Sequence, residues 1–278
     1  MATDLLRATK EYFRAQGIPE IDASILLEHL LGCTRGEVQL KLIGMGTEEI
    51  TQLDRNLRRL VLRRQNGEPV QYITGSAPFR YLQYQVGPGV LIPRPETESL
   101  VALVLEETKR VGATSSRVID LGSGSGCIAI SLASERENLV VSAVESSKDA
   151  LHWLQRNVAT LCPRVRVVES DVTSACRGEL FDVVVANPPY IPAEQILPLE
   201  VRKEPAVALF GGGSDGTKAL AEFISAALRL LKPGGFLALE HGEGQASAIA
   251  DLLDPHFTAI NLVNDLTGRA RFTTARRA

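Results

Sequence analysis

From Arg117 onward the chain alternates short apolar runs with stretches of helical length, and this alternation constrains the fold more than any other feature. Residues 118–121, 139–144, 165–168, 181–186 and 236–239 are apolar runs of strand length, and 126–133, 148–160 and 217–231 between them carry helical spacing. Parallel strands need long crossovers and become buried on both faces, so the pattern predicts an α/β fold with a mostly parallel sheet covered by helices on both sides. The residues before it read differently. Helices are expected over 4–16, stopped by Gly17-Ile18-Pro19, over 20–31, stopped by Gly32, and over 47–65, stopped by Asn66-Gly67. Glu48 and Glu49 sit in the first turn of the third, where carboxylates suit the positive end of the helix dipole. Residues 68–92 are punctuated by Gly and Pro between runs rich in Tyr, Val, Ile and Phe, which suggests a β-hairpin connector. The expected organisation is a small helical domain over 1–67, a connector over 68–95 and an α/β domain over 96–278.

Composition removes several function classes. Hydrophobic residues make up 45% of 278, enough for a large core. No apolar run is long enough to span a bilayer, and the first residues lack the zones of a secretory signal, so a cytoplasmic protein without membrane attachment is expected. The charge is 30 minus 33, or −3, which gives no reason to expect tight binding to nucleic acid. Cys33, Cys127, Cys162 and Cys176 show no paired spacing, so neither a metal site nor a redox dithiol is signalled. The densest basic cluster, Arg55, Arg58, Arg59, Arg63 and Arg64, reads first as a solvated helix face and second as a docking surface.

The segment Val118-Ile119-Asp120-Leu121-Gly122-Ser123-Gly124-Ser125-Gly126 is a strand entering a glycine-rich turn before a helix. Glycines there let backbone N–H groups approach a ligand closely. No lysine follows as a Walker A loop requires, and Cys127 stands where a dinucleotide fingerprint would have its last glycine. A nucleoside ligand without a pyrophosphate fits better. Glu145, after the second strand, lies at about the interval expected of a carboxylate that accepts from two ribose hydroxyls. Asp171, after the third strand, could accept from an adenine amino group, although acids are common in turns.

The fourth strand delivers Asn187-Pro188-Pro189-Tyr190 at its C-terminal end, where ligands of open α/β sheets bind. The prolines lack N–H groups, so this loop offers acceptors with few competing donors. The Asn187 side-chain oxygen and the Pro188 carbonyl could each accept one N–H of a substrate NH2 group. Amide and aromatic amine nitrogens are poor nucleophiles because the lone pair is delocalised; two acceptors would aim the nitrogen and favour pyramidalisation as charge develops. Tyr190 could pack on the flat face of the group. His241 and Trp153 read as structural.

Together, Gly122 to Gly126, Glu145 and Asn187 to Tyr190 resemble class I methyltransferases with the N-P-P-Y motif, a set that modifies adenine N6, guanine N2 or protein glutamine N5. The segments Gly67-Glu68-Pro69-Val70-Gln71-Tyr72-Ile73-Thr74-Gly75, Ile92-Pro93-Arg94-Pro95-Glu96-Thr97-Glu98 and Asp265-Leu266-Thr267-Gly268-Arg269 are similar to those of the HemK/PrmC family within that set. The resemblance implies a Rossmann-like methyltransferase domain and S-adenosylmethionine as cofactor. It implies that the substrate is the glutamine of the Gly-Gly-Gln loop of class 1 peptide chain release factors, with the helical domain helping to hold the factor. The implied cofactor contacts are Gly122, Ser123, Gly124, Ser125, Gly126, Glu145, Asp171, Val172 and Asn187. The implied substrate contacts are Asn187, Pro188, Pro189 and Tyr190, of which Asn187, Pro188 and Tyr190 form the catalytic set. Three positions depart from the family pattern, one of them Thr217, which stands where a leucine is usual. Val172 stands where many members place an aromatic against the adenine, and Glu145 replaces the commoner aspartate.

Overall fold

The computed structural model describes residues 2–278 and divides them into two compact units. One holds the described residues through Ser76 together with Pro198–Lys203; the other holds Ala77–Leu197 and Glu204–Ala278.

Among its described residues the first unit contains five α-helices: α1 (Ala2–Ala15), α2 (Ile21–Leu31), α3 (Val38–Ile43), α4 (Thr47–Gln65) and α5 (Val70–Thr74). Its core gathers Phe13, Leu26, Leu27, Leu42, Leu53 and Leu57 with Val70 and Ile73. Each of α1, α2 and α4 matches the periodic run in the sequence. Gly32 closes α2 in the left-handed region (φ 56°), and the backbone N–H of Gly46 donates to Glu49 Oε2 at the start of α4 (2.7 Å). The α3 helix has six residues, too few to show a period. Residues 70–74 form α5 although the surrounding composition reads as β; Pro69 precedes the first turn and Gly75 (φ 73°) ends the last.

Arg64 departs from the solvated face expected of its cluster. It is buried, donating from Nε to Asp22 (2.6 Å) and from Nη2 to Glu200 (2.5 Å). Burial pushes the Asp22 carboxyl above its usual range, opposed by the guanidinium. Arg64→Met removes one member of a buried pair and is expected to lower stability by about 3 kcal/mol. Chemical denaturation should show a lower midpoint at an unchanged slope, and the double change with Asp22→Leu should recover much of the loss because no buried charge is then left unpaired.

The second unit opens with the hairpin β1 (Ser76–Phe79) and β2 (Leu82–Gln85), followed by α6 (Thr97–Val111). The alternating part then forms as expected: β3 (Ser116–Leu121), α7 (Cys127–Glu135), β4 (Leu139–Glu145), α8 (Lys148–Leu161), β5 (Arg166–Glu169) and β6 (Phe181–Ala186). The short α9 (Ala206–Leu209), then α10 (Lys218–Leu230), β7 (Leu231–Glu240), α11 (Ala246–Leu253), β8 (Phe257–Asn264) and β9 (Ala270–Arg277) complete it. The seven-stranded sheet runs β5-β4-β3-β6-β7-β9-β8. Strands β3 to β7 pair in parallel, and β8 and β9 add an antiparallel edge. Helices α6, α7 and α8 cover one face, and α10 and α11 the other. The chain leaves β3 toward β4 and later returns to β6 on its other side, so β3 and β6 flank the switch point at which such sheets bind ligands.

Candidate active site

A cavity of about 410 Å³ opens at the C-terminal ends of β3, β4 and β6. That is within the size range of small-molecule sites. Four segments converge on it: Gly122–Ser125 after β3, Glu145–Ser147 after β4, Asp171 and Val172 after β5, and Asn187 with Pro189 after β6. Gly89, Leu91 to Arg94 and Thr97 close one side, and Pro205, Val207, Ala208 and Phe210 to Gly212 with the N-terminal turns of α10 close another. Gly126, Pro188 and Tyr190 adjoin lining residues along the chain but are not themselves part of the lining.

The glycine loop is shaped by backbone that only glycine adopts cheaply. Gly122, Gly124 and Gly126 have φ of 70°, 55° and 83°. A Cβ on Gly126 would lie 2.6 Å from Leu154 Cδ1, so this residue is needed for helix packing. A Cβ on Gly124 would meet nothing nearer than Val90 at 4.0 Å, and its face stays open to the cavity. Below the loop Asp120 is fully buried, and burial pushes its carboxyl up to about 7.

Glu145 is buried at the cavity wall. Its Oε2 accepts from the Gly124 N–H (2.8 Å), and its Oε1 accepts from the N–H groups of Ser146 (2.9 Å) and Ser147 (2.8 Å). One carboxylate thus ties the glycine loop to the end of β4, a role that spacing alone did not reveal. Asp171 forms a tight turn in which Oδ1 accepts from the N–H (2.9 Å) and hydroxyl (2.6 Å) of Thr173, and these bonds hold its carboxyl below the usual range. Val172 is buried against the apolar core and reaches the cavity with an aliphatic surface.

Asn187 is half-buried and lines the cavity. Its Nδ2 donates to Thr97 Oγ1 (3.2 Å), and the Thr97 hydroxyl donates to Glu240 Oε2 (2.7 Å). Neither Thr97, at the start of α6, nor Glu240, at the end of β7, was singled out by sequence as part of the site; they are far apart in the chain and meet only when α6 lies across β6 and β7.

The loop after Asn187 is held from outside the cavity. Gln245 Nε2 donates to the Tyr190 carbonyl (2.9 Å) and to the Asp215 carbonyl (2.7 Å). The Tyr190 hydroxyl accepts from Arg271 Nη1 (3.4 Å), and burial pushes its pKa up to about 12, so it stays a neutral phenol. Glu204 is buried behind the opposite wall, where it accepts from Arg94 Nη2 (2.6 Å) and the Ile92 N–H (2.9 Å). His241 is fully buried, with Nε2 2.9 Å from Thr273 Oγ1 and Nδ1 2.9 Å from the Gly242 carbonyl, and burial lowers its pKa. Trp153 donates to the Pro88 carbonyl (3.2 Å) and stays off the cavity. No cluster of His, Cys, Asp and Glu among the described residues could hold a metal ion.

Residues 4–75 match the family described as "PrmC N-terminal domain", and residues 97–201 the family described as "Methyltransferase small domain". The release factor glutamine methyltransferase of Bifidobacterium longum is 39% identical over 292 residues, covering 99% of both chains. That of Streptomyces coelicolor is 38% identical over 268 residues, 94% of this chain and 92% of its own. Among solved structures, the T. thermophilus 16S rRNA N2 G1207 methyltransferase in complex with AdoMet and guanosine has a TM-score of 0.53 at 22% identity, covering 73% of this chain and 50% of that one; this likeness is one of fold.

Proposed function

The chain belongs to the family of release factor glutamine methyltransferases, and we propose that it transfers a methyl group from S-adenosylmethionine to N5 of the glutamine in the Gly-Gly-Gln motif of class 1 peptide chain release factors. S-adenosylmethionine supplies a methyl group made electrophilic by its sulfonium sulfur. The residues present fit that cofactor. The glycine loop leaves an open face at Gly124, Glu145 is a buried carboxylate at the cavity wall, and the cavity suits a nucleoside-sized ligand.

The observation that carries the reading is the Asn187 amide at the cavity wall, whose NH2 is engaged by Thr97 and so leaves the oxygen as the end available to a substrate. In this reading Asn187 Oδ1 and the Pro188 carbonyl accept the two N–H bonds of the glutamine amide. Their pull strengthens as the nitrogen gains positive charge, so they stabilise the transition state more than the bound substrate. No base is needed before attack, because the proton leaves once the nitrogen has become cationic. Pro189 continues the wall beside the amide, and Tyr190, next in the chain, is a neutral phenol that adds no charge near it. Gly122 to Gly126, Glu145, Asp171, Val172 and Asn187 hold the cofactor. The location expected of such an enzyme is the cytoplasm, where release factors act; no helix of the described residues is long and apolar enough to cross a membrane. The chain's charge of −3 gives no basis for tight nucleic-acid binding.

Mass spectrometry of the Gly-Gly-Gln peptide of a release factor, after incubation with enzyme and cofactor, tests the assignment. One added methyl group on the glutamine supports it. An unmodified glutamine together with methyl incorporation into DNA or RNA overturns it. Glu145→Ala removes the acceptor of three backbone N–H groups as well as the proposed ribose partner. Cofactor affinity measured by calorimetry should weaken by about tenfold or more, equivalent to about 1.4 kcal/mol; unchanged affinity would remove Glu145 from the cofactor site.

A further inference from the structure

We infer that Thr97 and Glu240 are positioning residues that set which end of the Asn187 amide faces the substrate. The inference rests on the reading of Asn187 as the acceptor for the glutamine amide. The three side chains form a relay: Asn187 Nδ2 to Thr97 Oγ1 at 3.2 Å, and Thr97 Oγ1 to Glu240 Oε2 at 2.7 Å. Its polarity follows from the donor inventory. An ionised carboxylate only accepts, so the Thr97 hydroxyl spends its single proton on Glu240. The hydroxyl then has only lone pairs to offer Asn187, and only the NH2 end of the amide can use them. The amide oxygen is left toward the cavity, as methyl transfer to an NH2 group requires. A flipped amide would present two donors to a substrate that itself donates, and the productive alignment would be lost.

The setting makes the relay stiff. Glu240 is fully buried and Thr97 is 2% exposed, so water cannot substitute for either partner. The second carboxylate oxygen, Glu240 Oε1, is buried without a hydrogen-bond partner among the described residues. A buried carboxylate left half satisfied is costly. Burial pushes its pKa up to about 7, the Thr97 hydroxyl opposes this, Glu96 raises it further, and Arg271 and Arg94 lower it. Tyr190 beside it is neutral. A protonated Glu240 is itself a donor. It can donate to Thr97, which frees the threonine proton to point at Asn187 and favours the opposite amide orientation. Ionised Glu240 allows only one direction for the bonds of the relay, protonated Glu240 admits both, and turnover rises with pH as that carboxyl ionises.

Four full-length variants test this with a release factor as substrate: Thr97→Val, Thr97→Ser, Glu240→Gln and Glu240→Asp. Thr97→Val keeps the shape and removes the hydroxyl; Thr97→Ser keeps the hydroxyl. Thr97→Val and Glu240→Gln should each lower kcat at least tenfold with cofactor Kd changed less than twofold. Thr97→Ser should recover most of the turnover lost in Thr97→Val. The wild-type kcat should fall as pH drops below about 7, and Glu240→Gln should lack that limb. The inference is overturned if Thr97→Val keeps kcat within twofold, if Glu240→Gln keeps the wild-type pH profile, or if kcat and cofactor affinity fall together. Should Glu240→Gln fail to fold, Glu240→Asp and the threonine pair decide by the same kcat and Kd comparison. A wild-type enzyme that leaves the glutamine unmethylated instead strikes the functional reading.

Discussion

Asn187→Ala is expected to lower turnover by about 10²- to 10³-fold, the effect of removing one preorganised partner of developing charge. Cofactor Kd should stay within about twofold. The difference between these two readouts is the point of the experiment. Asn187 lines the cavity, and its NH2 is already engaged by Thr97. In the proposed function alanine removes the acceptor for the substrate amide, an interaction that would grow in the transition state. Single-turnover rates with a saturating release factor, alongside calorimetric cofactor titration, separate the two. Equal losses in rate and affinity would show that Asn187 serves the cofactor pocket as a whole.

Gly216→Ala should be nearly as damaging, for a steric reason remote from chemistry. Gly216 has φ 74°, and a Cβ there would stand 2.2 Å from the Tyr190 carbonyl oxygen and 3.0 Å from Gln245 Nε2. Neither can yield easily, because Gln245 clamps that carbonyl to the Asp215 carbonyl. Overpacking against backbone, added to left-handed strain, should destabilise by about 3 kcal/mol. At about 2–4 °C per kcal/mol for a chain of this size, thermal unfolding should shift down by about 6–12 °C. Turnover should fall as well, because the displaced carbonyl belongs to the loop that carries Asn187. Gly244→Ala is the control, since a Cβ there meets nothing within 4 Å and its backbone has ordinary φ. A Gly216→Ala protein with the Tm of the Gly244→Ala protein would contradict the clamp.

Much of this architecture was legible in the sequence because the signals are local. The apolar run 181–186 coincides with β6, and the runs and glycine stops around α2 and α4 coincide with those helices. The motif residues at the strand ends were legible for the same reason: a strand followed by a glycine turn or by Asn-Pro-Pro-Tyr announces itself within ten residues. The structure gathers Gly122 to Ser125, Glu145, Asp171, Val172, Asn187 and Pro189 around one cavity. What the sequence hid depends on partners distant along the chain. Arg64 looks like its arginine neighbours until Asp22 and Glu200 close on it. Thr97 and Glu240 lie 143 positions apart, and neither residue type at its own position signals a shared hydrogen bond. The edge strands β8 and β9 escaped notice because β8 shows little buried face and its ladder is interrupted between Thr258 and Asn261.

The short stretch Pro198–Lys203 packs with the helical unit although the residues on either side of it belong to the other unit. A Cβ on Gly67 would overlap Leu199, and Arg64 reaches Glu200, so the stretch is seated as firmly as a core element. The two units are thus joined by three passages of the backbone rather than one. Cutting the polypeptide at residue 76 would not yield two independent modules. A fragment beginning at Ala77 would carry Leu199 and Glu200 stripped of their partners, some ten residues beyond Asn187. Anyone dissecting or recombining these enzymes must move that insert with the helices it completes, and a fusion that keeps only the contiguous boundary should inherit a disturbed segment a short way along the chain from Asn187.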